Sequence, residues 1–185
     1  MAKSNYNQVR IIAGEMRGRK IHFATQEGLR PTSDRLRETL FNWLQNEITN
    51  CHALDLFAGS GALGFEAISR GAMSVTFIEK NRINCDYLKE NIERLKIQNA
   101  KVLNISVPTS LTFQQPINLV FIDPPFALNL HQSILDWLVA QSWLAKTALI
   151  YLEIPKNQTV NFPSEIAIKK ETMVGSVHGY LLQFC

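Results

Sequence analysis

The sequence predicts an α/β protein built on a mostly parallel, twisted sheet, and three observations carry that expectation. Short apolar or β-branched runs alternate with helix-patterned stretches along the 185 residues, as repeated strand–helix units require. One such run, 53–57, passes directly into Gly59-Ser60-Gly61 and then into a helical stretch, the strand–turn–helix order of nucleotide-binding sheets. The last two strand-like runs are joined by a short segment holding Gly175 and Gly179, which reads as a hairpin and gives the sheet an antiparallel edge.

Taken in order, residues 9–13 and 20–23, separated by Gly14 and Gly18, read as a small β-hairpin. It belongs to a basic extension spanning 1–31, ahead of a main domain spanning 32–185. A helix over 33–48 follows, capped by Thr32 or Ser33, with Leu36, Leu40, Phe41, Leu44 and Ile48 as its apolar face. Arg35, Arg37 and Glu38 fall on its polar side. Strands are expected near 51–57, 74–79, 100–105, 117–122, 146–153, 165–171 and 180–184. The remaining helices are expected near 62–70, 81–97 and 130–141. No repeat, low-complexity tract or linker divides the chain, and a domain of this length buries roughly 70% of its unfolded surface.

Charge is informative by location. Residues 1–37 carry eight Lys/Arg against three acids, a local net charge of +5 in a chain whose total is +3. The arginines of the expected hairpin suit phosphate recognition, because a planar guanidinium bonds two oxygens at once. The glycines give this segment a shape that a solvated basic tail would lack. Cys51, Cys85 and Cys185 are widely spaced with no CxxC pair, and read as reduced thiols, two buried and one terminal. His22, His52, His131 and His178 lack metal-ligand spacing, so no metal is expected. The amino terminus is polar and no apolar run approaches the ~20 residues that span a membrane. A cytoplasmic, monomeric protein with no membrane partner is the expectation.

Two segments carry the chemistry. Gly59-Ser60-Gly61-Ala62-Leu63-Gly64 is literally G-x-G-x-x-G, with Glu79 ending the next strand-like run, so a dinucleotide-dependent oxidoreductase is one reading. Glu79 would bind ribose hydroxyls of either a dinucleotide or an adenosyl cofactor. Asp55 separates the two: a carboxylate at the end of the strand repels a pyrophosphate, whereas it attracts the sulfonium and ammonium groups of S-adenosylmethionine. The second segment is Asp123-Pro124-Pro125-Phe126, directly after the apolar run 117–122. Neither proline has an N–H for the sheet ladder, so the strand gives way to a rigid loop with free carbonyls between a carboxylate and an aromatic ring. Such a loop can hold a flat base by its face and accept hydrogen bonds from its exocyclic amine.

Together these residues resemble the S-adenosylmethionine-dependent amino-methyltransferases. The segments Arg10-Ile11-Ile12-Ala13-Gly14, Arg17-Gly18-Arg19-Lys20-Ile21, Gly28-Leu29-Arg30-Pro31-Thr32, Asp34-Arg35 and Arg37-Glu38-Thr39-Leu40-Phe41-Asn42-Trp43-Leu44 narrow the likeness to the RsmD-type methyltransferases. Leu54-Asp55-Leu56-Phe57-Ala58-Gly59 and Ser69-Arg70-Gly71-Ala72 fit the same family. The resemblance runs from Val9 to the DPPF loop and implies a Rossmann-like class I methyltransferase fold that modifies the N2 amine of a guanine in 16S ribosomal RNA of the small subunit. It implies Asp123, Pro124, Pro125 and Phe126 as catalytic residues. The cofactor would lie on Asp55, Phe57, Ala58, Gly59, Ser60, Gly61, Glu79, Lys80, Ser106 and Asp123. Arg10, Arg17, Arg19, Lys20, Arg30 and Arg35 would contact RNA, and Thr32 lies in the stretch near the cleft.

One departure stands out. Ser106-Val107-Pro108 follows the third strand of the main domain where many relatives of the wider fold carry an acid for the adenine amine, so the Ser106 hydroxyl or a carbonyl takes that role here. The DPPF loop by itself would equally serve adenine N6 or cytosine N4 in DNA. A third reading, a non-catalytic ribosome-assembly factor, explains the basic hairpin but leaves Asp55, Gly59, Gly61, Glu79 and Asp123 without a task.

Overall fold

A computed structural model describes residues 6–24 and 33–185. Strands β1 (Tyr6–Arg10) and β2 (Lys20–Ala24) pair antiparallel as a separate two-stranded sheet. The main body follows as α1 (Asp34–Trp43), β3 (His52–Asp55), α2 (Ala62–Ser69), β4 (Ser74–Ile78), α3 (Arg82–Arg94), β5 (Ala100–Leu103), β6 (Ile117–Ile122), α4 (His131–Val139), β7 (Leu144–Pro155), β8 (Ile166–Val174) and β9 (Val177–Phe184). Its seven strands run in the order β5-β4-β3-β6-β7-β9-β8. The first five are mutually parallel, and β9 lies antiparallel to both β7 and β8. The expected class is therefore observed, hairpin edge included.

The central strands are apolar on both faces because helices cover both faces. Ala53, Leu119, Phe121 and Tyr151 point into one core with Leu40 and Phe41 of α1, Leu63 and Phe65 of α2, and Leu88 of α3. Their alternating neighbours Leu54, Val120, Ile122, Ile150 and Leu152 point into a second core with Ile134, Leu135 and Leu138 of α4. Strand order reverses at β3, which has β4 on one side and β6 on the other. A parallel sheet opens a crevice beyond its strand ends at such a reversal, and Asp55 ends β3 there.

Boundaries differ from expectation at several element ends: β9 begins at Val177, so Gly179, expected in the connection, lies within the strand, and two further differences have an identifiable cause. The first helix stops at Trp43 rather than residue 48; Leu44 and Ile48 remain buried, but in turns closed by the Leu44 carbonyl. The first hairpin strand is Tyr6–Arg10 rather than 9–13. The cause is Glu66 on α2: its carboxylate takes the N–H groups of Ile12 and Ala13 at 2.7 and 3.0 Å, so these donors do not join the ladder. The same carboxylate corrects the reading of Arg37. Far from lying on a polar face, Arg37 is 1% exposed, donating to the Arg10 carbonyl at 3.0 Å and to Asp34 at 2.6 Å, with Glu66 3.7 Å away.

The loop of the hairpin is pinned to the end of α2. Ser69 Oγ donates to the Ala13 carbonyl at 2.5 Å and accepts from Met16 N–H at 2.9 Å, while its carbonyl accepts from Glu15 N–H at 2.8 Å. Gly14, at φ +81°, comes so close that a Cβ would lie 1.8 Å from the Ser69 carbonyl oxygen. Ile11 and Ile21 enter the first core, and Asn91 of α3 exchanges two hydrogen bonds with the His22 backbone. Among the described residues no helix is long and apolar enough to cross a membrane.

Candidate active site

The turn after β3 brings the first group of candidates together. The backbone takes positive φ at Gly59 (51°) and Gly61 (78°), and Gly61 N–H closes the turn on the Ala58 carbonyl at 2.6 Å. Gly61 then caps α2, where a Cβ would meet Leu88 and Phe65 at 2.6 Å. Ser60 is buried and its Oγ accepts from Ala62 N–H at 3.3 Å. Phe57 is half-buried and Ala58 buried beside them.

Glu79 stands one residue past β4 and holds this turn in place. One of its oxygens accepts from Gly59 N–H at 2.8 Å and the other from Asn81 N–H at 2.7 Å. Asn81 in turn caps α3 by accepting from Ile83 and Asn84 N–H. Asn104, past β5, donates to the carbonyls of Glu79 and Lys80 at 3.0 and 2.9 Å. The carboxylate is thus a fixed acceptor at the rim of the crevice, with lone pairs to spare for hydroxyls. Lys80 and Ser106 are both exposed, the latter in the loop after β5.

Asp55 lies at the bottom of the crevice, 4% exposed, accepting from Gly64 N–H at 3.3 Å. Burial first, and the charge of Asp123 second, lift its carboxyl to about 7. Asp123 sits one residue beyond β6, half-buried. On the neighbouring β7, the Tyr151 hydroxyl donates to Glu153 at 2.9 Å, both residues being buried. Burial and the Glu153 charge hold the Tyr151 phenol protonated, well above its ordinary range. The sheet therefore gathers anionic oxygen at its carboxyl edge, which suits a cationic ligand and disfavours a pyrophosphate.

The DPPF segment leaves β6 as expected. Pro124 is buried and Pro125 exposed, and a 3-10 turn over Phe126–Leu128 follows. Phe126 is 38% exposed, its ring 5.9 Å from that of His131 at the start of α4. An open cleft of about 510 Å³ adjoins it, lined by Phe126, Ala127, Asn129, Pro155, Asn157 and Gln158. Sequence reading missed Asn81, Asn104, Asn129, His131 and Gln158. Only Asn81 carried a local signal, as a helix-capping residue type at the start of an expected helix.

The basic candidates among the described residues lie on the surface. Arg10, Arg17, Arg19 and Lys20 are exposed along the hairpin and Arg35 is exposed on α1; none forms a salt bridge with a described residue. Arg30 and Thr32 lie outside the described residues. No cluster of three or more His, Cys, Asp or Glu suited to a metal occurs among the described residues. Cys51 and Cys85 are buried thiols and Cys185 is exposed.

Known proteins resemble this chain in sequence and fold. The protein-family model described as Conserved hypothetical protein 95 matches residues 9–183. The ribosomal RNA small subunit methyltransferase D of Haemophilus influenzae is 46% identical, over 95% of this chain and 94% of that protein. Its Escherichia coli K12 counterpart of the same name is 43% identical over 99% of this chain and 95% of that protein. The solved structure of yhhF from Escherichia coli, 44% identical, superposes with a TM-score of 0.84, covering 96% of this chain and 98% of that one. On the match across nearly its whole length and these identities, the chain belongs to the Conserved hypothetical protein 95 family, among the ribosomal RNA small subunit methyltransferase D (RsmD) proteins.

Proposed function

We propose that this protein transfers a methyl group from S-adenosylmethionine to the exocyclic N2 amine of a guanine in 16S ribosomal RNA of the small subunit. The observation that carries the reading is the Asp123-Pro124-Pro125-Phe126 loop leaving β6 beside buried Asp55 and the Gly59–Gly61 turn, at the strand reversal of the sheet. S-adenosylmethionine, when bound, supplies the methyl: its S–CH3 bond breaks as the N–CH3 bond forms, giving S-adenosylhomocysteine, N2-methylguanosine and a proton.

The residues divide the work. Asp55 meets the cationic part of the cofactor, Glu79 its ribose hydroxyls, and the turn from Phe57 to Gly61 its flank; Lys80 and Ser106 stand at the adenine end. The Asp123 carboxylate and the Pro124 carbonyl accept the two amine hydrogens. This pulls the nitrogen out of conjugation and turns its lone pair towards the methyl. Phe126 stacks on the base, an interaction worth about 1–3 kcal/mol. Positioning for in-line attack supplies most of the acceleration, since the sulfonium is already a strong electrophile. The alkylated nitrogen is then acidic and loses its proton to Asp123 or water. A guanine in a loop or flipped from its stack meets this geometry.

The same reading makes residues 1–31 a docking arm for the RNA and 32–185 the methyltransferase domain. Arg10, Arg17, Arg19, Lys20, Arg30 and Arg35 provide phosphate contacts. The protein works as a cytoplasmic monomer. The deciding experiment offers radiolabelled S-adenosylmethionine with assembled small subunits, naked 16S RNA or unmodified genomic DNA, and identifies the labelled nucleoside. Label in N2-methylguanosine is expected, and label in DNA adenine or cytosine would overturn the substrate assignment.

A further inference from the structure

The cleft beside Phe126 contains an amide whose orientation is set from behind. Gln158 Nε2 lies 2.6 Å from Asn129 Oδ1 and 2.9 Å from His131 Nδ1. His131 is fully buried, and burial lowers its pKa against an opposing backbone hydrogen bond with Glu153, so the ring is neutral; the nitrogen that faces the Gln158 amide N–H, Nδ1, is then the accepting one. Both hydrogens of the Gln158 amide thereby go to protein acceptors. Its Oε1 remains as an acceptor, and Asn129, whose Oδ1 is already used, retains Nδ2 as a donor. Both side chains line the cleft.

We propose that Gln158 and Asn129 select the target base by reading its edge next to the reacting amine: Gln158 Oε1 accepts from guanine N1–H, and Asn129 Nδ2 donates to O6. This inference rests on the guanine reading above and adds the residues that enforce it. With the N2 amine held at Asp123 and Pro124, the next edge position of guanine is a donor and the one beyond is an acceptor. Adenine held by N6, or cytosine held by N4, presents a ring-nitrogen acceptor at that next position, facing the Gln158 oxygen. Two acceptors then meet with no hydrogen between them, and the Gln158 oxygen, covered by the base, goes unpaired, which is how a site rejects a near-isostere. The choice between N2 of guanine and the amines of adenine and cytosine, which the DPPF loop cannot make, is thus made by an amide on the loop after β7.

The test uses small subunits reconstituted with 16S RNA carrying, at the methylated position, either guanine or 2-aminopurine. 2-Aminopurine keeps the N2 amine but lacks N1–H and O6. The wild-type protein should prefer guanine by about 10–100-fold in kcat/KM, the range for one well-made polar base contact. Gln158→Leu and the near-isosteric Asn129→Asp should each lose about 10-fold or more on guanine and little on 2-aminopurine, with S-adenosylmethionine affinity unchanged as a check on folding. Equal losses on both acceptors, or full guanine activity in both variants, would overturn the inference while leaving the guanine reading intact. Absence of label from wild-type protein on the guanine subunits would overturn both.

Discussion

Asp55 and Asp123 close adjacent parallel strands and act as one electrostatic unit. Asp55 pairs in register with Phe121, two residues before Asp123. Burial first, and then the Asp123 charge, hold the Asp55 carboxyl at about 7. A carboxylate kept this close to neutrality is ionised readily by a cation.

A pH dependence follows with a definite sign. The folded-state value of Asp55 lies above its ordinary 3.8, so the native state binds more protons than the unfolded chain between those values. Asp55 therefore makes the ligand-free protein less stable as pH rises from about 4 to about 7, with no further change above. A cation beside it reverses the shift, so binding S-adenosylmethionine near pH ~6.5 should release protons. Calorimetry in two buffers of different ionisation enthalpy measures this release, and Asp55→Asn should abolish it.

Asp123→Ala should remove methyl transfer while leaving S-adenosylmethionine affinity within a few-fold. Single-turnover labelling and equilibrium binding separate the two effects. Because Asp123 is the largest charge-based cause of the Asp55 shift, the same variant should also bring the proton release to lower pH. Full transfer in Asp123→Ala would exclude its role at the amine.

Replacing Arg17 and Arg19 together by Ala should weaken binding to 16S RNA and flatten its salt dependence. Each phosphate left without its arginine lowers the log–log slope by about 0.7–0.9, so a double variant changes it by up to about 1.8. Binding isotherms across a salt series give the slope directly, and an unchanged slope would place the RNA elsewhere.

Gly14→Ala should detach the hairpin loop from α2, because its Cβ would fall inside the Ser69 carbonyl and its backbone is left-handed. A drop of about 1–3 kcal/mol in stability to urea is expected. RNA affinity should fall with it, and S-adenosylmethionine affinity should hold.

What sequence reading could reach here was local. Gly59-Ser60-Gly61 and Asp123-Pro124-Pro125 were legible because a glycine turn or a pair of prolines constrains its own backbone whatever surrounds it. Arg37 was misread because helical periodicity reports which residues share a face, not that Glu66 and the hairpin loop cover that face. The β1 boundary moved for a similar reason, its ladder donors having been taken by a carboxylate 54 and 53 positions away. Gln158, Asn129 and His131 carried no signal at all, since the start of α4 and the loop after β7 must fold together before these three side chains meet.

Helix α2 starts at the glycine turn and ends at the residues that grip the hairpin, Glu66 and Ser69. Its eight residues rise about 12 Å, with buried packing along the length. That makes α2 a rigid gauge: while the hairpin loop's hydrogen bonds to Glu66 and Ser69 hold, the loop keeps a fixed distance from the floor of the crevice. On the docking role proposed above, reach decides which nucleotide arrives at the crevice once the arm has engaged a backbone landmark, and the base edge is read only after arrival. Shortening or lengthening the RNA between landmark and target should present the wrong nucleotide, even with every interaction at both ends preserved.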